Sequence, residues 1–257
     1  GHLHCGDQVT LEMRVGVVPV DARGDRWTLE AKAPRTREVA APREGLAAML
    51  GLTAADLGTT PLWVDTGSEQ LVIPLASTDA VVRCTPDPAL LLRHASLELP
   101  ASPGSARSVR AMAYVWSRAG EGEVLARFFF SKYGAVVEDP GTGSACANLG
   151  GWLVATGAAR PQVLTVFQGE AVGRPCRLGL EVDADGRIFV SGRVIVRRAA
   201  WHDTIGTPKS GKHREVPLSD DCVAALKEGT QAAHVHGERA RVLPARRFTS
   251  PRGDGPS

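Results

Sequence analysis

Apolar and polar residues alternate over residues 8–20, with Val9, Leu11, Met13, Val15 and Val17 on one side, the period of a strand with one buried face. A turn over 21–25 and a returning strand over 26–33, ended by Pro34, make this a predicted hairpin. The period lengthens over 42–50, where Leu46, Met49 and Leu50 share a face and Gly51 supplies the stop, so a short helix is predicted. Residues 53–56 begin another helical turn. Strands are predicted at 61–66 and 69–75 around Gly67-Ser68. Two short helices follow, one entered through Ser77-Thr78-Asp79-Ala80 and one over 87–94 with Pro88 in its first turn.

Further along, strands at 108–117 and 124–130 meet at Gly120-Glu121-Gly122. The apolar run over 126–137 ends at Glu138-Asp139, a Gly-rich turn comes next, and 145–154 reads as a buried helix. Three more strands are predicted at 162–167, 177–182 and 187–196, the last two joined by the turn Asp183-Ala184-Asp185-Gly186. Many strands with a few single helices, without βαβ alternation, indicate an α+β fold. No internal repeat is visible. Past Arg197 the texture changes: 201–212 is polar and rich in Gly, Pro and Lys, and 214–218 reads as a short strand. Ser219-Asp220-Asp221 then caps a helix bearing Val223, Ala225 and Leu226, and residues 237–257 are basic and expected to be disordered.

Composition narrows the function classes. The chain has 257 residues, 30 Lys and Arg against 28 Asp and Glu, and a formal net charge of +2, so the chain as a whole does not call for nucleic acid or an anionic membrane as partner. No apolar run is long enough to span a bilayer, and no charged-then-apolar signal segment opens the chain. The five cysteines are scattered and form no C-x-x-C pair, which points to a reducing, cytoplasmic setting. The first residue is Gly1 rather than Met, and the expectation is that the sequence starts inside a gene product.

The candidate chemistry lies in Glu138-Asp139-Pro140-Gly141-Thr142-Gly143-Ser144-Ala145. A Gly-rich turn opening a helix presents backbone N–H groups at the positive end of that helix, where a carboxylate or phosphate is held. Thr142, Gly143, Ser144 and Ala145 are the candidate substrate-binding residues, and Asp139 on the lip is the candidate catalytic residue, placed to exchange a proton with whatever binds. Structural roles also fit: Asp139 or Ser144 as helix caps, Glu138 as a salt-bridged neighbour, Cys146 as a small buried residue rather than a base. Trp152 and Phe128 to Phe130 read as core, and the histidine pairs His2/His4 and His234/His236 are weak evidence for metal.

Taken in order, several segments resemble the phenazine-biosynthesis-type isomerases, the PhzF-like family, whose fold is related to that of diaminopimelate epimerase. Val9-Thr10-Leu11-Glu12 with Gly16 to Val20 resembles its "xLET..G.v.V" hairpin, and Asp65-Thr66-Gly67 with Leu71 to Leu75 the first strands of its second lobe. Arg127-Phe128-Phe129, Gly134 and residues 138–145 resemble "R.F.P..G..EDPATGSA", and Gln168-Gly169-Glu170 with Gly173-Arg174-Pro175 resembles "QG...GRPS". The resemblance covers residues 7–197. It implies a two-lobed, pseudo-symmetric fold, each lobe a sheet around a central helix, with residues 1–58 as the remainder of the first lobe and 59–198 as the second. It also implies a small carboxylate substrate between the lobes, proton-transfer isomerisation or epimerisation, no metal or organic cofactor, and a possible homodimer. The family's "N.SET" glutamate and "GHP.LGTA" helix have no counterpart before Gly6, so the expectation is half an active site with an incomplete first lobe.

Residues 199–236 do not fit that family. The stretch from Gly206 to Asp220 resembles the "T.K.GK.R.VPL" hairpin of tyrosine recombinases, which would make Lys209 the hairpin lysine that acts on DNA. No Tyr follows Tyr133, so the nucleophile of DNA cleavage is absent, recombinase activity is rejected and the segment reads as a foreign tail. The main expectation is therefore a cofactor-independent, PhzF-like isomerase. An inactive anion-binding remnant comes second, and a DNA-binding recombinase fragment third.

Overall fold

The computed structural model describes residues 8–13, 16–23, 26–99, 108–193, 199–201 and 204–206. Strands β1 (Gln8–Met13), β2 (Gly16–Arg23) and β3 (Arg26–Glu30) form an antiparallel meander. β4 (Arg35–Glu38), β5 (Leu62–Asp65), β6 (Glu69–Pro74) and β7 (Ser96–Leu99) are short, whereas β8 (Ser108–Gly120) and β9 (Glu123–Lys132) are long. β10 (Ala135–Asp139), β11 (Gln162–Gln168), β12 (Cys176–Val182) and β13 (Ile188–Arg193) complete one 13-stranded sheet. Its order is β1-β2-β3-β13-β12-β11-β9-β8-β6-β5-β4, with β10 paired to β9 and β7 to β8. Among the described residues, only β6·β8 and β9·β11 run parallel. The helices are α1 (Arg43–Met49), α2 (Thr78–Arg83), α3 (Pro88–His94) and α4 (Gly143–Ala155). β14 (Ala199–Trp201) and β15 (Thr204–Gly206) form a separate pair.

The sheet curls around α4, because strands far apart in its order, β4, β5 and β6 on one side and β12 and β13 on the other, pack on that helix. The period-2 pattern explains how one sheet serves two cores. On β8, Met112, Tyr114 and Trp116 face the core around α4, and Ala111, Ala113 and Val115 face a second core beneath α1, α2 and α3. β6 divides likewise, Val72 inward and Leu71 and Ile73 outward. Strands covered on both faces lose their polar alternation and become continuous apolar runs.

Residues 143–153 of α4 are all buried, so this helix has no solvent face. Its glycines let the strands approach. A Cβ on Gly150 would lie 2.6 Å from Ile188 Cγ2, and one on Gly151 would lie 2.7 Å from Val64 Cγ1 and 2.9 Å from Pro34 Cβ. Trp152 fills the space beyond, its indole N–H donating to Thr60 O at 2.9 Å and its ring set edge-on to Trp116.

One cation ties the outer helices to the strand that leads into α4. Arg127 on β9 donates through Nε and Nη2 to both carboxylate oxygens of Glu138 on β10, at 3.1 and 2.7 Å. Its Nη1 reaches the carbonyls of Val81, Val82 and Cys84 at the end of α2, and its guanidinium stacks 4.8 Å from the Phe129 ring centroid. Both members of the ion pair are largely buried, with side chains 14% and 7% exposed. The fork thus caps α2 while fixing β10, and the salt-bridged reading of Glu138 holds.

Three sequence expectations change. The single strand over 8–20 is two strands, with Met13 paired to Gly16. The apolar run over 126–137 folds back at Tyr133-Gly134, where both residues have positive φ (52° and 78°), the backbone of a tight hairpin turn. β4 is an additional strand, all four of its residues exposed, held at the sheet edge by pairing with β5 and by Arg35–Asp65 and Arg37–Glu69 ion pairs. The expected strand at 214–218, the helix after it and the disordered stretch lie outside the described residues.

Two substitutions test this packing. Gly151→Ala should lower stability by about 1 kcal/mol or more in urea denaturation, because overpacking of about 1–3 kcal/mol outweighs a helix-propensity gain of about 1 kcal/mol. An unchanged or raised midpoint would show that the sheet is not tightly closed on α4. Arg127→Met should cost about 3–5 kcal/mol, since it strands a buried carboxylate, whereas a loss below about 1 kcal/mol would place the pair with ordinary surface ion pairs.

Candidate active site

β10 carries two carboxylates on opposite faces. Glu138 lies opposite Phe129 and turns outward to Arg127; Asp139, one residue on, lies opposite Phe128 and shares the inner face with the core around α4. The alternation of strand side chains thus separates an anchoring carboxylate from one at the helix end. Asp139 is half-buried. The Thr142 hydroxyl donates to Asp139 Oδ2 at 2.6 Å. Gln168, at the end of β11, donates through Nε2 to the carbonyl of Asp139 at 2.7 Å and to Thr142 Oγ1 at 3.1 Å. Gln168 thus holds the hydroxyl that holds the carboxylate.

Thr142 occupies the N-cap position and is fully buried; Gly143, Ser144 and Ala145 make the first turn of α4. The helix's own ladder starts with Cys146 N–H donating to Thr142 O at 3.0 Å. N–H groups ahead of that bond belong to the turn that concentrates the positive end of the helix dipole. The structure therefore brings all five residues singled out from the sequence, Asp139, Thr142, Gly143, Ser144 and Ala145, to one helix end. That arrangement is chemically suited to an anion flanked by a carboxylate.

A second polar group stands behind the first turn. Ser144 Oγ accepts from Gln70 Nε2 at 2.9 Å. Asn148, one turn further, accepts at Oδ1 from Thr66 N–H and Thr66 Oγ1 at 2.9 and 2.7 Å, and donates from Nδ2 to Ser68 O and Gln70 Oε1 at 2.8 and 2.9 Å. These partners come from β6 and the turn between β5 and β6. Sequence reasoning missed Gln70, Asn148 and Gln168 as site residues. The signal was there: each is a polar residue at an inward position of an otherwise apolar element, and an amide buried in that way must find partners.

Cys146 is fully buried, and burial pushes its thiol well above the ordinary cysteine range, so it stays protonated at neutral pH. It is a packing residue, as one of the two sequence readings had it. Cys84 is likewise pushed up by burial, to about 12. Among the described residues no group of three or more His, Cys, Asp and Glu side chains could hold a metal ion. Also among them, no helix is long and apolar enough to cross a membrane. Lys209, His2, His4, His234 and His236 lie outside the described residues.

The loop is kept in shape by close contacts with the segment after β11. Gly169 has φ +83°, and a Cβ there would lie 2.3 Å from Arg174 O and 2.5 Å from Pro140 O. A Cβ on Gly141 would lie 2.6 Å from Cys176 Sγ. Gly141→Ala should therefore destabilise the protein by about 1–3 kcal/mol. Adding Cys176→Ala should recover most of that loss, because it removes the colliding atom. Additive losses in thermal or urea unfolding would show that the two residues do not share this space.

Comparison with other proteins accords with this geometry. The family described as phenazine biosynthesis-like protein, PhzC-PhzF, matches residues 2–199. An uncharacterized isomerase of Pasteurella multocida is 38% identical over 150 residues, covering 57% of this chain and 45% of that protein. An uncharacterized isomerase of Bacillus subtilis is 26% identical over 209 residues, covering 74% and 65%. The chain thus spans 45% and 65% of the length of these two relatives. Among solved structures, a PhzF-family phenazine biosynthesis protein of Bacillus anthracis has a TM-score of 0.56 at 21% identity, covering 72% of this chain and 65% of that one. A Pseudomonas aeruginosa protein described as a predicted epimerase has a TM-score of 0.52 at 27% identity, covering 74% and 66%. These neighbours share the expected α+β fold, no finding supports the recombinase-like tail, and the match over residues 2–199 establishes that the chain belongs to the PhzC-PhzF family.

Proposed function

We propose that this protein is an isomerase or epimerase that moves a proton on a small carboxylate-bearing molecule and draws on no metal or organic cofactor. The observation that carries the reading is the Asp139 carboxylate, gripped by Thr142 at the entrance to the first turn of α4. A substrate carboxylate bound at Gly143, Ser144 and Ala145 would have its charge offset by the helix end. That lowers the cost of removing a proton from a neighbouring carbon, because the carbanion formed is conjugated with the carboxyl group. Asp139 would take or return that proton as a general base or acid. The names of the relatives support the reaction class, since both curated proteins are called isomerases.

Delivering the proton to a different position or face needs a second acid or base. The family resemblance assigns that part to the "N.SET" glutamate of the first lobe, which has no counterpart among residues 1–257. A cytoplasmic setting and pairing of two copies belong to the same proposal. An anion-binding protein without turnover is the competing reading, and one experiment separates the two.

In D2O, with a panel of small 2-amino, 2-hydroxy and unsaturated carboxylic acids, the protein should exchange the proton next to the carboxyl group of its substrate, as followed by NMR. Asp139→Asn should slow that exchange by roughly 10²–10⁴-fold while leaving carboxylate binding in place. Exchange that is as fast in Asp139→Asn as in the unaltered protein would sink the assignment. Binding without exchange of any acid would favour the anion-binding reading.

A further inference from the structure

Two side chains at the start of α4 each lack a hydrogen bond that their setting calls for. Thr142 holds the N-cap position, where a hydroxyl usually accepts from the backbone N–H of the second or third helical residue, yet its side chain makes no such bond. Its Oγ1 instead accepts from Gln168 Nε2 at 3.1 Å and donates to Asp139 Oδ2 at 2.6 Å. Gln168 is fully buried, and its Oε1 finds no hydrogen-bond partner in the protein. The amide cannot turn over to relieve that oxygen, because Nε2 also donates to the carbonyl of Asp139 at 2.7 Å, and a carbonyl only accepts. A buried acceptor left unmet costs free energy that an apolar side chain of the same length would not, so packing alone does not call for a glutamine here.

We propose that Gln168 and Thr142 are positioning residues for Asp139, Gln168 turning the Thr142 hydroxyl away from its own helix end and toward the carboxylate that exchanges the substrate's proton. The inference rests on the proton-transfer role of Asp139 proposed above and adds the device that aims the group. One amide nitrogen holds Asp139 twice, by its main-chain carbonyl and, through Thr142, by Oδ2. Both missing bonds, the cap and the Oε1 partner, follow from that double hold. A carboxylate fixed at Oδ2 has lost the rotation about its last bond before substrate arrives, and proton transfer depends on such geometry. A hydroxyl that donates to a carboxylate also favours the ionised form, which is the form that accepts a proton. The adjacent carboxylate, Glu138, takes no part, being bonded to Arg127 on the opposite face of β10.

Titration of the carboxyl group reads this relay without any ligand. The full chain, labelled with ¹³C at the side-chain carboxyl of aspartate, is taken to low pH while the Asp139 resonance, identified by its loss in Asp139→Asn, is followed. Thr142→Val should raise its midpoint by roughly one pH unit, the worth of one hydrogen bond to a charged group. Thr142→Ser, which keeps the hydroxyl, should leave the midpoint within about 0.3 unit of the unaltered chain. Gln168→Met should raise it by about half a unit in the Thr142 protein and add little once Thr142→Val is present. Should Gln168→Met not fold, the isosteric Gln168→Glu is run through the same cycle. Its carboxylate draws the Thr142 proton off Asp139, so the rise must be larger with Thr142 in place than after Thr142→Val. Exchange in D2O is the second readout. For whichever 2-amino, 2-hydroxy or unsaturated acid the unaltered chain exchanges, Gln168→Met should lower kcat roughly tenfold and leave KM within about threefold.

An equal rise from the Gln168 change with and without the Thr142 hydroxyl would assign Gln168 a packing role only and overturn the proposal. So would a midpoint that Thr142→Val leaves in place, or exchange as fast in Gln168→Met as in the unaltered chain; in these cases the acid–base role of Asp139 would still stand. If the unaltered chain exchanges none of the acids, or Asp139→Asn exchanges them as fast, the role of Asp139 fails, and this inference fails with it.

Discussion

No side of α4 faces water along residues 143–153, and a helix enclosed in that way imposes conditions on everything around it. Its backbone must be approached closely from several directions, which is why Gly150 and Gly151 sit where Ile188, Val64 and Pro34 press in. Its polar side chains must be satisfied by strands rather than by solvent, which is why Ser144 and Asn148 are met by Gln70 and Thr66. A polar group left unmet in such a place costs about 1–3 kcal/mol, enough to remove a large share of a domain's net stability. Enclosure has a second consequence. The first turn is buried with the rest, so the positive end of the helix dipole lies where solvent screens it little.

Two buried glutamines from different strands converge on that end, each donating to a hydroxyl there. Gln70 donates to the Ser144 hydroxyl and ties the first turn of α4 to β6. Gln168 gives a proton to Thr142, whose own proton goes to Asp139, and thereby keeps that carboxylate an acceptor. The two glutamines thus hold side chains on either side of the first turn of α4. Arg127 does the complementary work on the outer face, taking Glu138 out of the chemistry and locking β10 in register. Because strand side chains alternate, a slip of one residue would exchange the two carboxylates; the five donors of Arg127, all but committed to Glu138 and the end of α2, oppose that slip.

Much of this was legible in the sequence, for identifiable reasons. The loop and helix at 138–154 stood out because glycines, an acidic pair and an uninterrupted apolar stretch are each improbable by chance and informative together. The strands buried on both faces, β6, β8 and β9, were readable as apolar runs, and α1 to α3 as short periodic segments with stops or caps. What was not readable depends on partners distant in sequence. β4 has four polar, exposed residues and is a strand only because β5 lies beside it. β10 is hidden in an apolar run because Tyr133-Gly134, a turn by backbone conformation, lacks the Asn or Asp that marks such turns. Gln70 and Gln168 looked like ordinary strand residues until the fold brought them to Ser144 and Thr142, 74 and 26 positions away in sequence.

The loop also departs from the family signature at one position, and the structure accounts for it. The signature reads EDPATGSA where this chain has Gly141, and the second motif reads GRPS where this chain has Cys176. Considered singly, the glycine looks like a loss of rigidity and the cysteine like a new reactive group beside the site. Considered together they are one exchange of volume: the sulfur of Cys176 stands 2.6 Å from the point a Cβ at 141 would occupy, so the larger atom on one strand goes with the smaller residue on the loop. Cores accept paired changes of this kind when the total volume is kept. What the site requires at this point is therefore a filled space that holds Pro140 and Thr142 apart at the right distance, not a particular side chain, and the thiol is better understood as a spacer than as a reagent.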